Sequence, residues 1–473
     1  MADSLIIRNK LDVVEMINGG LIKGGNSLWI VVIALGGVFI DAYDFTSLGI
    51  GAVQLRQQFH LTAFQLGSVT AAMAFGALAG ATFGGYYVDK IGRERMFLIN
   101  MLFFVIAAIG AAFSPNYWVL IFFRFFMGVG VGMDFPVAMS FVAEYTATSG
   151  KGKYLNLWQG MWYIAAVVVG LASLPLLFAG VGGNLWRWAV GLGAVPAFAV
   201  LLLRQKYLEE SPMWLAQRGD LAGAARVIEK TYCVPIEVAQ ESDAPPATEK
   251  YSLRDYAQIF SKPYRLRTLL ASIIAPTQSM EYFAVGFYLP VISVLLFGNQ
   301  LVYAILGTVF FNLFGIVGGL SQAFLTQRIG VRRLAIIGYC LVIVALLVSG
   351  IGGRTLPIVA GAAMLALFVF GHSFGPGSQG MTMAAMSFPT AIRGAGTGWV
   401  QAVLRLGSIF GFYFFPLVLA ASGLSRTLLI LTVVPILGLL ACLAIRWEPV
   451  GQDVEAERTQ LAAGPVTAPT VTT

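Results

Sequence analysis

Charge is what this chain has least of: 11% of its 473 residues are Asp, Glu, Lys or Arg, against about 25% in an ordinary soluble domain. A water-soluble globular protein is excluded. Histidine is nearly missing, with two residues. The three cysteines, Cys233, Cys340 and Cys442, stand far apart with no metal-ligand spacing, so neither a metal centre nor a disulfide framework is expected. HExxH, GxSxG and paired Cys–His spacings are absent, which leaves a membrane enzyme without a nucleophile, base or metal. No Walker loop is present to couple ATP, and no filter repeat or ring of like charge suggests a channel. The first 26 residues carry Asp12 and Glu15 and no short apolar core with a cleavage site, so no signal peptide is expected.

What fills the chain is apolar: 58% of residues are hydrophobic and the mean hydropathy is +0.79. Twelve apolar segments are long enough to span a bilayer: 28–53, 62–87, 96–114, 117–145, 154–180, 185–203, 266–296, 299–325, 335–352, 356–387, 395–422 and 426–445. Strands of a barrel would be shorter and alternating, so the expectation is an all-α integral membrane protein. Its 54 glycines suit close helix contact in lipid. The expected parts are an N-terminal segment (1–27), six helices (28–203), a polar insert with short helices (204–265), six more helices (266–446) and a disordered tail (447–473). Residues 5–17 have apolar positions at near-helical spacing, expected to lie on the inner membrane surface or trail as a solvated tail. One set of loops and tails holds Arg8, Lys10, Lys23, Lys90, Arg93, Arg95, Lys151, Lys153, Arg328, Arg332, Arg333 and Arg393; the opposite set holds little beyond Arg56, Arg187, Arg354 and Arg426. The positive-inside bias places both termini and the insert in the cytoplasm. The net charge of +7 follows from these scattered loops, so nucleic acid is not an expected partner.

The loop after the second segment, GGYYVDKIGRERMF, returns after the eighth as FLTQRIGVRRLAII, 238 residues later. Two parallel six-helix halves are the plan of the major facilitator transporters, and the loop's Gly85, Asp89, Lys90, Gly92, Arg93 and Arg95 resemble that superfamily's motif. The resemblance implies twelve transmembrane helices in two pseudo-symmetric halves. LEESPMWLAQRGD (208–220) resembles the sugar-porter motif after helix six, with Met213 for the usual arginine. DAYDF and GVGVGMDFPVAMSFVAE resemble helices one and four of phosphate:proton symporters, but QSMEYFAVGFYLP lacks both that group's aspartate and the sugar porters' asparagine in helix seven. A general metabolite carrier fits best. Arg93 and Arg95 can pair with Glu144, and with Asp89 and Glu210 they are expected to form an inner gate between the halves.

Buried polar groups give the candidate chemistry. Asp41 and Asp44 lie three residues apart in an apolar helix, where two carboxylates cannot both stay ionised cheaply. With Asp134 and Arg124 on helix four they are the candidate proton carriers; the alternative is a fixed pair with Arg124. In the second half Arg405 is a cation suited to an anion, unless Glu281 neutralises it. Gln159, Trp162, Gln278, Glu281, Tyr282, His372, Gln379 and Arg405 are the candidate substrate contacts, and Tyr43, Phe135, Phe287 and Tyr288 could add aromatic lining. The exporters' Gly-Pro motif is not found in helix five, which favours import. The sequence thus predicts a monomeric, proton-coupled importer of a small anionic metabolite, an organic carboxylate, in a bacterial-type inner membrane, with no cofactor but the proton gradient. A phosphate symporter, a sugar facilitator and an exporter are the alternatives.

Overall fold

The computed structural model describes residues 5–22, 24–239, 257–298 and 300–463. The chain is a twelve-helix bundle. Among the described residues, ten helices are long and apolar enough to cross a membrane, from Ser27–Ile50 to Leu417–Ala444. The seventh span is Arg265–Val285 prolonged by Leu289–Phe297, and the eleventh is the first part of Thr390–Leu431, which breaks at Gly423. Local chemistry sets several starts. Thr62 and Gln65 form a capping box ahead of Ala63–Ile91, and the Asn116 side chain accepts from Val119 N at the head of Tyr117–Tyr145.

Small residues then decide how close the helices come. A side chain at Gly76, Gly80, Gly128 or Gly132 would overlap backbone atoms of the facing helix, so the second and fourth spans approach to backbone contact. Burial of water-hating surface gives no such drive in lipid, and this packing is what replaces it. Large apolar side chains left exposed, such as Phe75, Ile106, Phe122, Val317 and Leu437, lie along the spans where lipid is the solvent. The halves meet where span two packs on span eleven and span five on span eight.

Three expectations about the ends change. The sixth span, Leu185–Gly191 followed by Ala194–Tyr207, runs past residue 203 and takes Arg204 inside the bundle. The N-terminal segment is not a trailing tail. Leu5–Ile7 pairs in parallel with Ile236–Val238 of the insert, and helix Lys10–Asn18, capped by Asn9, buries Val13, Val14, Met16 and Ile17. The tail is ordered as far as helix Val454–Ala463; the disorder expected for 464–473 and the loop charge at Lys23 lie outside the described residues. In the insert, Asp220 caps an amphipathic helix, Leu221–Tyr232, and residues 240–256 lie outside the description.

Candidate functional site

At the face carrying both described chain ends, the halves are tied by buried ions. The Arg93 guanidinium donates to Glu144 Oε1 (2.8 Å) and Oε2 (3.1 Å) and to Asp89 Oδ1 (3.0 Å). Asp89 Oδ2 accepts from Ala395 N in span eleven (3.0 Å), and Glu144 also accepts from Arg393 Nη1 (3.2 Å). Glu144 is therefore shared between one arginine of each half. Arg393 continues to Glu455 of the tail helix (3.1 Å), and Arg267 binds Glu457 (2.6 Å). Gly92, at φ 109°, makes the reversal that a side chain would resist, and Glu210 accepts from Arg93 N (2.9 Å) and Ser211 N (2.8 Å). Burial pushes the Glu210 carboxyl above its ordinary range, while Arg93 and the two N–H donors pull it back. The second half repeats the device. Glu448 accepts from Val331 N (2.9 Å) and Arg332 N (3.0 Å) beside Gly330, φ 97°, and it lies 238 residues after Glu210, the offset of the repeated loop. Gly85 lies inside Ala63–Ile91. Arg95 is exposed and stays out of the cluster, where Arg393 joins Arg93 on Glu144: two residues of helix beyond Arg93 turn Arg95 about 200° round the axis, away from Glu144.

On the other flank of the same interface the ties are neutral. Asn156 Nδ2 donates to Thr326 Oγ1 (2.6 Å), its Oδ1 accepts from Thr382, and Gln379 Nε2 donates to Gln322 Oε1 (2.5 Å). Gln379, expected at the substrate, belongs to this network.

Deeper in the bundle a small cavity lies between the halves. Gln159, Trp162, Gln278, Tyr282, His372 and Arg405 line it, together with Phe135, Trp158, Phe283 and Gln401. Trp162 Nε1 donates to Tyr282 OH (2.9 Å) across the halves. Away from the ion cluster an aromatic plug closes the cavity: Phe45 stands 5.3 Å from Phe283 and 6.3 Å from Phe412, with Phe283 and Phe412 4.9 Å apart. Beyond it lies a second space lined by Thr46, Gly49, Phe287 and Asn312. The site is thus shut on both sides. Glu281, expected to touch substrate or to neutralise Arg405, is not among the lining residues: its Oε1 is 2.9 Å from His372 Nδ1, and the Tyr282 ring stacks on that imidazole. Arg405 is left facing the cavity, its guanidinium 5.2 Å from the Phe45 ring. Tyr43 and Tyr288 are not among the lining residues either.

The three aspartates separate into two kinds. Asp134 is held by Arg204 (Nη1 to Oδ1, 2.7 Å), both side chains fully buried, and Arg204 also binds Ala34 O (2.8 Å). Of the three aspartates expected to carry the proton, Asp134 is thus the one with a fixed cation partner. Asp41 and Asp44 are different: both are buried, and none of their four carboxylate oxygens has a hydrogen-bond partner among the described residues. Arg124 does not fix Asp44 through its carboxylate, since its Nη1 donates to the Asp44 carbonyl (2.9 Å). Asp41 stands within electrostatic reach of both the Asp134–Arg204 pair and Arg405. Removing one partner of the buried pair should orphan the other: Arg204→Met is expected to destabilise the protein by about 3–5 kcal/mol. Adding Asp134→Asn should recover part of the loss in a detergent unfolding titration. Full stability of the single variant would refute the pairing.

Sequence reading missed Arg204 and Arg393. Each ends or begins an apolar segment, where a basic residue reads as a loop charge. A charge opposite it on another span, Asp134 or Glu144, was the signal available.

A twelve-helix bundle of two like halves around a closed central cavity defines a membrane transporter of the major facilitator type. Residues 29–458 match the family model described as "Sugar (and other) transporter", and the chain belongs to that family. It is 28% identical over 422 residues to the putative metabolite transport protein YaaU of Escherichia coli (89% of this chain, 91% of that one). It is 27% identical to the niacin transporter NiaP of Acinetobacter baylyi (81% and 84%) and 27% identical to the glucose transporter GlcP of Staphylococcus epidermidis (92% and 96%). Among solved structures, the proton:xylose symporter XylE superposes with a TM-score of 0.78 at 18% identity, over 93% of this chain and 99% of that one. The protein is an integral membrane transporter of a small molecule, not an enzyme.

Proposed function

We propose that this transporter imports a small organic anion together with protons by alternating access. The observation that carries the reading is Arg405: among the described residues it is the only Arg, Lys, Asp or Glu lining the central cavity. A buried cation without a fixed carboxylate is costly, and an anionic cargo supplies the missing charge. Asp41 and Asp44, buried and without hydrogen-bond partners, stand in the other half as proton carriers. Asp41 lies within electrostatic reach of Arg405 without a hydrogen bond to it, which sets the proton carrier and the anion site in one field. The ion cluster at the chain-end face is the inner gate, facing the cytoplasm of a bacterial-type inner membrane, and the monomer runs on the proton gradient with no cofactor.

Cargoes of the relatives include glucose and niacin, so the family leaves the choice to the site. The amides of Gln159, Gln278 and Gln401 favour a second reading, a facilitator for a neutral sugar, whose hydroxyls suit amide partners. Proteoliposomes discriminate. An inward proton gradient should drive accumulation of labelled carboxylate, and a protonophore should abolish it; gradient-indifferent equilibration of a neutral sugar would overturn the proposal.

The gate makes its own prediction. Asp89→Asn and Arg93→Ala should slow transport several-fold while equilibrium substrate affinity stays within a small factor, because they shift the access equilibrium and leave the cavity alone. Wild-type rates in both variants would refute the gate.

A further inference from the structure

One buried pair, Glu281 with His372, differs from the others in its cation. Asp89, Glu144 and Asp134 each meet an arginine, whose charge is permanent. Glu281 meets a histidine, charged only when it has taken a proton (Oε1 to Nδ1, 2.9 Å). Both side chains are buried, and Glu281 Oε2 has no hydrogen-bond partner among the described residues. The titratable groups facing the pair are phenols. Tyr282 stacks on the imidazole (5.0 Å, 21°), and Tyr163 of span five and Tyr339 of span nine stand within electrostatic reach of Glu281. A phenol, neutral at neutral pH, cannot balance a carboxylate. From span eleven, Arg405 shares the wall of the central cavity with His372, whereas Glu281 does not reach that wall. With Nδ1 turned to Glu281, the ring nitrogen left for the cavity is Nε2. It lies beside two other lining residues: a Cβ on Gly377 would stand 2.9 Å from Nε2 and 2.5 Å from Gln159 Nε2.

We propose that Glu281 and His372 form a proton-binding site in the second half, and that its proton sets whether the cavity wall there donates or accepts. The pair has two states one proton apart. Without the proton, the Glu281 carboxylate accepts from Nδ1–H, Nε2 is a bare acceptor, and the pair carries one negative charge. A proton taken at Nε2 from the cavity side gives imidazolium beside carboxylate, and passage of the Nδ1 proton to Oε1 gives two neutral groups. In both forms Nε2 bears hydrogen and the pair has no net charge. A lone buried carboxylate is the costly state, so the protonated pair is the resting one. Its Nε2–H is a donor for an anion in the cavity. Loss of the proton turns that atom into an acceptor with a negative charge behind it, and an anion is then repelled. Proton and anion occupy the second half together; this use rests on the anion reading above, whereas the proton site itself does not.

The test needs no cargo. The chain has two histidines, the other being the exposed His60, so histidine labelled with nitrogen-15 gives a simple spectrum that His60→Gln assigns. Imidazole nitrogen shifts of the full-length transporter in lipid nanodiscs report which ring nitrogen bears hydrogen. As the pH is raised from about 5 to about 9, His372 Nε2 should lose its hydrogen in one step. Glu281→Gln keeps the shape of the side chain and removes the titrating oxygen, so the step should vanish. Glu281→Asp keeps a carboxyl and should move the step without removing it. Asp44→Asn should leave the step in place, so the proton site and the role of Asp44 in uptake stand or fall separately. A His372 that holds one protonation state throughout that range would overturn the proton site. So would a step unchanged in Glu281→Gln, or one lost in Asp44→Asn.

Discussion

Asp44→Asn is expected to abolish proton-driven accumulation while substrate exchange across the membrane continues. Asparagine keeps the shape of the side chain and loses the titrating group. Net uptake requires the carrier to return empty and deprotonated, whereas exchange returns it loaded and needs no net proton movement. Asp44 stands first because its carboxylate has no partner and its carbonyl is anchored by Arg124, so the substitution leaves the helix in place. Asp41→Asn should weaken accumulation as well, since Asp41 answers to Arg405. In the unmodified protein, uptake should fall as the outside pH rises and proton supply drops. The measurement is counterflow beside gradient-driven uptake in the same proteoliposomes. Full accumulation by both single variants, or uptake indifferent to a protonophore, would show that the carboxylates are structural and the carrier a uniporter.

Arg405→Ala is expected to weaken binding of the anionic substrate by roughly 2–5 kcal/mol, the range found when a desolvated charge loses its partner. Arg405→Lys should recover only part of this, because a point charge replaces a planar fork. Calorimetric titration of the purified variants checks both. A neutral substrate bound equally well by Arg405→Ala would promote the sugar facilitator instead.

The gate and the cavity differ in how far residue order foretells them. Arg93, Asp89 and Glu144 could be grouped from the loop motif and one acidic residue at a helix end, because chain-end positions at one membrane face have few places to go. Arg393 and Glu455 could not, since their partners lie about 250 and 60 residues away along the chain and the order of helices around the bundle is not written in any local pattern.

Sequence alone determined that this chain lives in a bilayer, crosses it twelve times, and consists of two repeated halves, because hydrophobic length and a duplicated loop are properties of the chain itself. It also determined that Asp41, Asp44, Asp134, Glu281 and Arg405 are anomalous, since a charge in an apolar helix is costly wherever the helix packs. Which of them are paired was decided only by tertiary structure. Asp134 found Arg204 on span six and Glu281 found His372 on span ten, while Asp41, Asp44 and Arg405 were left without hydrogen-bonded ionic partners. Pairing depends on which helix faces turn toward each other, and in lipid that is settled by glycine contacts and van der Waals fit across the bundle.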